Sequence, residues 1–324
     1  MSFFNKIKVN YNLKLMDDYV LNKKQPELFA LIKKSKIKDK EIFFHLLNYF
    51  INKYKENEIQ ENFYKQKLLL INSFDHSDYS YLSQFLSFYF DNCKIDYLNS
   101  NFSDAVANDL SCLGLSNFPN QIDFDHMVQY SNFFFQSLLI DNENKLLLLK
   151  SSSAFFESNQ NNYFISPNIS SAYFFIHQSP LYIYNLLKEK HSSSQAALNE
   201  MFNFQNSLIS EQITNSKYQV LENRQSWNIH THSWIDPNVQ STNRGLVMRQ
   251  QDFFTNPQET FTRVIFHLIQ AGLNFEVDYN LIDQFIAENP PQALKLFPDL
   301  SNKERKTLLN NLDQNLLDQL NYQI

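Results

Sequence analysis

A chain of 324 residues, 43% hydrophobic and 19% charged, lies on the globular side of the boundary with disorder and is long enough for one large domain or two ordinary ones. Its three glycines, Gly114, Gly245 and Gly272, form no phosphate-cradling loop of the Walker or dinucleotide type, which argues against nucleotide chemistry by those routes and leaves no cofactor expected. A net charge of −6 with Lys and Arg spread along the chain argues against a nucleic-acid partner, and two cysteines without a CxxC pair argue against a zinc ribbon or disulfide scaffold.

The first element group spans residues 27–99. Apolar residues recur there at three and four positions, as in Leu28, Leu31 and Ile32, then Phe43, Leu46, Leu47 and Phe50, then Leu82, Phe85, Leu86 and Tyr89. That period predicts helices, so residues 1–99 are read as a helical bundle region. The N-terminal "MSFFNKIKVNYNLKLMDD" lacks the apolar core of a signal peptide. No apolar run reaches the ~20 residues of a spanning helix, so no transmembrane segment is expected.

From residue 100 to 255 the texture changes to shorter apolar runs between Asn- and Ser-rich breaks. "KLLLLK" at 145–150, "NYFISPN" at 162–168, "SAYFFIH" at 171–177, "KYQVLEN" at 217–223 and "SWNIHTHSWID" at 226–236 have strand length and bounding turn residues. Helices are expected after Ser179 and Pro180 and over residues 195–209.

The last seventy or so residues return to helical signals. Asn256, Pro257 and Glu259 predict a helix start, with Phe261, Val264, Leu268 and Ala271 on the buried face and Gly272 at its end. A second helix over 281–287 stops at Asn289 and Pro290. Ser301 and Glu304 predict a capping box for a third helix carrying Leu308, Leu309, Leu312, Leu316 and Leu320. Residues 256–324 are therefore read as a C-terminal helical subdomain able to bind a partner protein. The expected fold class is α+β, predominantly α, with a small central sheet.

Two segments carry residues with chemical potential. In "NDLSCLGLSNF" at 108–118, Cys112 stands two residues before a rare glycine, and a thiol at a helix start has its pKa lowered by free amides and the helix dipole. In the segment 226–236, read as a strand, alternation puts His230, His232, Trp234 and Asp236 on one face. One imidazole and Asp236 would then be base and orienter for a nucleophile; alternatively, His230 and His232 would be two ligands of a metal ion, or the whole face simply a polar edge.

The run Ser111 to Ser116 around Cys112 resembles the nucleophile segment of papain-like cysteine proteases that pathogenic bacteria deliver into host cells. "IDPNV" at 235–239 is similar to the Asp-Pro-Asn segment that supplies that family's third residue. The resemblance implies a papain-like core over residues 100–255, with Cys112 as nucleophile, His230 or His232 as base and Asp236 as orienter. In the tail, "HLIQAGLNFEV" at 267–277 is similar to the second helix and turn of an ankyrin repeat. Together these imply a type IV secretion effector, held in the bacterial cytoplasm before delivery to the host cytoplasm, with a cysteine hydrolase acting on a host protein. The alternative is a non-catalytic helical effector that binds one.

Overall fold

In this computed structural model the described residues are 68–74, 79–101, 145–152, 154–155, 170–202, 208–212, 219–223, 225–292 and 294–322. At the centre is a parallel five-stranded sheet built from β1 (Leu68–Ser73), β2 (Tyr97–Asn101), β3 (Leu146–Ser151), β4 (Ser170–His177) and β7 (Gly245–Arg249), in the order β2-β3-β1-β4-β7. Two short strands, β5 (Leu208–Gln212) and β6 (Gln219–Asn223), form a separate antiparallel pair. The helices expected to dominate do surround a small central sheet.

The three central strands of this parallel sheet are covered on both faces. Every residue of β1 and of β4 is buried, and β3 is buried apart from Lys150. Strands covered on both sides read as continuous aliphatic or aromatic runs and not as alternating ones. The same property explains a miss. "LLLINS" at 68–73 falls in the region expected to be wholly helical, yet it is the central strand, flanked by β3 and β4. A short apolar run has no period by which helix and strand can be told apart.

Along each strand successive side chains point to opposite faces. Leu69, Ile71, Leu148, Ala172, Phe174, Ile176 and Met248 face one layer, formed by α1 (Ser80–Asn92), α7 (Pro257–Gln270) and α8 (Tyr279–Glu288). The register of that layer is aromatic. Phe85 stacks on Phe261 with ring centroids 4.0 Å apart, and Phe285 meets both. The Tyr89 hydroxyl donates to Glu276 O (2.7 Å) and accepts from Asp278 N (2.9 Å), so the turn before α8 is pinned to α1. Helices α7 and α8, from the segment read as a C-terminal subdomain, thus share one core with β1 and α1.

The opposite face carries Tyr173, Phe175 and His177 of β4. Against it lie α4 (Trp227–Ile235) and, at its edge, Tyr322. The connection from β4 to β7 runs through α2 (Pro180–His191), α3 (Ser194–Phe202), the β5–β6 pair, α4 and α5 (Pro237–Asn243); the four-residue α6 (Asp252–Thr255) then leads from β7 into α7. Helix α3 ends at Phe202 and the chain is a strand again by Leu208, so the long helix expected over 195–209 is cut short. The Ser301–Glu304 capping box is present at the start of α9 (Asn302–Asn311). The expected leucine stripe is divided, however, because Asp313 starts a new helix, α10 (Gln314–Gln319), by accepting bonds from Asn315 N and Leu316 N.

Candidate functional site at the carboxyl edge of the sheet

The three central strands change character along their length. They begin or run through Leu68–Ile71, Leu146–Leu149 and Ala172–Ile176, and end on Asn72 and Ser73, on Ser151, and on His177 followed by Gln178. These five polar residues are at most 4% exposed. Buried polar groups are held by hydrogen bonds, and these five together interrupt an otherwise aliphatic and aromatic sheet along one edge. Asn72 is in register with Ser151 on one side and Phe175 on the other.

That edge is also where the topology turns. From β1 the chain goes to β2 and β3 on one side, then crosses to β4 and β7 on the other, so the reversal lies between β1 and β4. In open α/β sheets ligands bind outside the carboxyl ends of the strands at such a point. The amino edge is different in kind: the buried Ser170 and Ser171 have their carbonyls taken by Arg244 Nη1, at 3.1 and 3.5 Å.

Helix α4 roofs one side of the edge. His230 is 1% exposed and sits between the rings of Phe74 and Phe175, with centroids at 5.5 and 5.7 Å. The Ser233 hydroxyl donates to His230 O (2.7 Å) and accepts from Phe155 N (3.0 Å), tying α4 to the chain after β3. At the β4–β7 side, Tyr322 closes over the strand ends. His177 Nδ1 lies 2.7 Å from the Tyr322 hydroxyl, and Arg249, paired in register with His177, donates to Leu320 O (2.7 Å) with its guanidinium 5.7 Å from the Tyr322 ring centre. Burial, and then the Arg249 charge, push the His177 imidazole down to about 3, so it is neutral near pH 7. The Tyr322 phenol is pushed up, chiefly by burial.

Of the residues expected to carry chemistry, Cys112 lies outside the described residues. The segment 226–236 is helix and not strand: Ser226 caps α4 by accepting from Ile229 N, and β-like alternation is lost. Residues two apart on a helix point roughly 200° apart around its axis. His230 is accordingly buried against the sheet while His232 is exposed, so the two rings cannot face one metal ion or share one nucleophile. Trp234, one turn on, shares the buried face with His230. Asp236 begins α5, where its Oδ1 accepts from Asn238 N (2.8 Å) and Val239 N (3.2 Å), the bonds of an N-cap. The buried positions at 227, 230, 234 and 235 carry a helical period, but two short polar–apolar alternations inside it imitate a strand.

What the sequence reading missed is the edge itself. Asn72, Ser151, His177 and Arg249 each close an apolar strand run, in "LLLIN", "LLLLKS", "YFFIHQ" and "LVMRQ". A polar residue ending such a run is a weak signal, but four together were available to find. Among the described residues no cluster of three or more His, Cys, Asp or Glu could hold a metal ion, and no helix is long and apolar enough to cross a membrane. No family model matches the chain, and no curated protein is similar to it.

Proposed function

We propose that this chain is a ligand-binding α/β protein that takes a small polar organic molecule at the carboxyl ends of β1, β3 and β4. The observation that carries this is the band of buried polar residues, Asn72, Ser73, Ser151, His177 and Gln178, at the topological reversal of an otherwise aliphatic sheet. The absence of a glycine-rich loop means that the ligand is held by side chains and helix starts, and not by a phosphate-wrapping backbone.

The test is a thermal-shift panel on the full chain with nucleotides (AMP, ADP, UDP, adenosine 3′,5′-bisphosphate), sugar phosphates, amino acids and dicarboxylates, repeated on Asn72→Leu and Ser151→Val. A compound that raises Tm in the parent chain and fails to do so in both variants supports the reading. Variants that are more stable than the parent, with no compound acting on any of the three, would mean that the polar band serves no ligand, and the reading would fall.

A further inference from the structure

Arg249 is a cation set at the carboxyl end of β7 with an incomplete set of partners. It donates to one neutral acceptor, Leu320 O, and lies against the Tyr322 ring; among the described residues it forms no ion pair. A guanidinium has five N–H donors arranged to meet an oxyanion two at a time, and charge-assisted bonds of that kind are about twice as strong as a bond to a carbonyl. In register with Arg249 is His177, and three residues beyond His177 helix α2 begins. The α2 N-cap, Ser179, makes no side-chain capping bond, and the first turn holds no acidic residue, so the positive end of that helix faces the same edge without a countercharge of its own. Side-chain caps stand at Ser226, Asp236, Asp278, Ser301 and Asp313, whereas the starts of α1, α6 and α7, like that of α2, have none.

What covers Arg249 is a short segment whose Leu317 and Leu320 are buried and whose polar groups meet the sheet edge at a few points. The segment reaches it by way of α10, a six-residue helix closed by Asn321 in the left-handed region (φ 54°), with Tyr322 N donating to Leu317 O (2.9 Å) and Asn321 N to Asp318 O (3.1 Å). Its hold on the sheet edge is the Tyr322 hydroxyl on His177 Nδ1, the Leu320 carbonyl on Arg249, and the edge of the Tyr322 ring on the imidazole at 5.4 Å. Each of these groups, an oxygen acceptor for a guanidinium and an oxygen for an imidazole nitrogen, is one that a phosphate, sulfate or carboxylate supplies in better form. The neutral His177 can donate or accept, so it suits either occupant.

We infer that Leu320–Tyr322 is a displaceable strap over the β4–β7 end of the crevice, and that Arg249 beneath it anchors the anionic group of the ligand that displaces it. This rests on the ligand-binding reading above and adds to it the charge of the ligand and the means of entry. In the closed form the strap's carbonyl and phenol stand in for the ligand's oxyanion.

The experiment uses the full chain and hydrogen exchange read by mass spectrometry on peptides covering 314–322 and 170–177, alone and with pyrophosphate or ADP as probe. In the ligand-free chain the strap amides should exchange at least about tenfold faster than those of β4, because the strap opens without unfolding the sheet. Either probe should raise strap exchange further; Tyr322→Ala should tighten probe binding several-fold, Tyr322→Phe less so because its ring remains, and Arg249→Gln should weaken binding about tenfold or more. A strap as protected as β4, or probe affinity unchanged or lowered in both Tyr322 variants, would overturn the inference. If a compound from the panel binds and responds to Asn72→Leu while strap exchange and Arg249→Gln have no effect, the strap and anchor are wrong and the crevice reading stands. If no compound or probe binds at all, both fall.

Discussion

The ring of Tyr173 fills the space that a side chain at Gly245 would need. A Cβ built on Gly245 would come within 2.2 Å of the Tyr173 Cζ, and the ring is not free to swing away. Its hydroxyl donates to Trp234 O at 2.7 Å, its ring meets the Trp234 indole edge-on at 4.9 Å, and burial pushes its phenol pKa up. Gly245→Ala should therefore destabilise the fold by about 3 kcal/mol, at the upper end of overpacking costs. Urea denaturation of Gly245→Ala, Tyr173→Ala and the double variant checks this: the glycine substitution should cost far less once the ring is gone.

Glu304 joins two helical pairs and should make the protein sensitive to acid. Its carboxylate accepts from Lys188 Nζ (2.6 Å), Ser301 Oγ (2.7 Å) and Ser194 Oγ (2.9 Å), and these bonds, the Lys188 one foremost, hold its pKa down at about 2. A depressed carboxylate pKa contributes stability that is present above the unfolded value of about 4.3 and is lost as pH falls toward the folded one. Denaturation midpoints should fall between about pH 5 and pH 2. Glu304→Gln should flatten that part of the profile; an unchanged slope would show the carboxylate to be solvated and unimportant.

His177 acts in a neighbouring window with the same sign. Its folded pKa of about 3 lies below the unfolded value of about 6.5, so the unfolded chain takes up a proton that the folded one refuses. The contribution of the neutral ring is complete above about pH 6.5 and is lost as pH falls toward 3. NMR of the His177 ring protons should show no titration between pH 5 and pH 8. A midpoint near 6.5 would place the ring in water and break the contact with Tyr322.

Asp236 should behave as a helix cap. Asp236→Ala should cost about 1 kcal/mol and Asp236→Asn much less, since an amide oxygen can accept the same bonds from Asn238 N and Val239 N. A residue that orients a catalytic imidazole would instead move a histidine titration on either substitution, which NMR of His230 and His232 would reveal.

Cys93 provides the reference for any thiol chemistry in the chain. It is exposed, but partial desolvation and the Asp278 charge push its thiol pKa up. It should react with iodoacetamide near pH 7 more slowly than a free cysteine in solution. Peptide mapping of labelled protein measures this directly, and the hydrolase expectation for Cys112 requires that thiol to label well ahead of Cys93.

Helix punctuation was the most legible part of the sequence. The Ser301–Glu304 box, Pro180 and Pro257 at helix starts, and Gly272 at φ 94° all stand where local chemistry put them. The strands "KLLLLK" and "SAYFFIH" were found from their length and their bounding residues. What failed did so where local pattern and tertiary environment disagree. "LLLINS" looks like part of a helical region because nothing within it says that it will be covered on both faces. "WNIHTHSWI" looks like a strand because its short alternation competes with a helical period visible only through its buried residues, Trp227, His230, Thr231 and Trp234. The site was hidden for a related reason: its residues lie far apart in the chain, and only the order of the strands brings Asn72, Ser151 and His177 to one edge.

That same order has a consequence for how the chain is made. β1 is the middle strand, but its partners begin near Leu146 on one side and Ser170 on the other, so neither neighbour exists when Leu68–Ile71 leaves the ribosome. The most thoroughly buried aliphatic run in the sheet must wait, unpaired, through the synthesis of about eighty further residues, roughly four to sixteen seconds at ordinary elongation rates. Long-range parallel pairing is slow to form even after synthesis, because loop closure comes before any contact rewards it. Yield in a cell-free system should therefore rise when a holdase chaperone is present during translation and should be insensitive to one added afterwards. The strand that organises the finished molecule is the one that most needs shelter while it is being built.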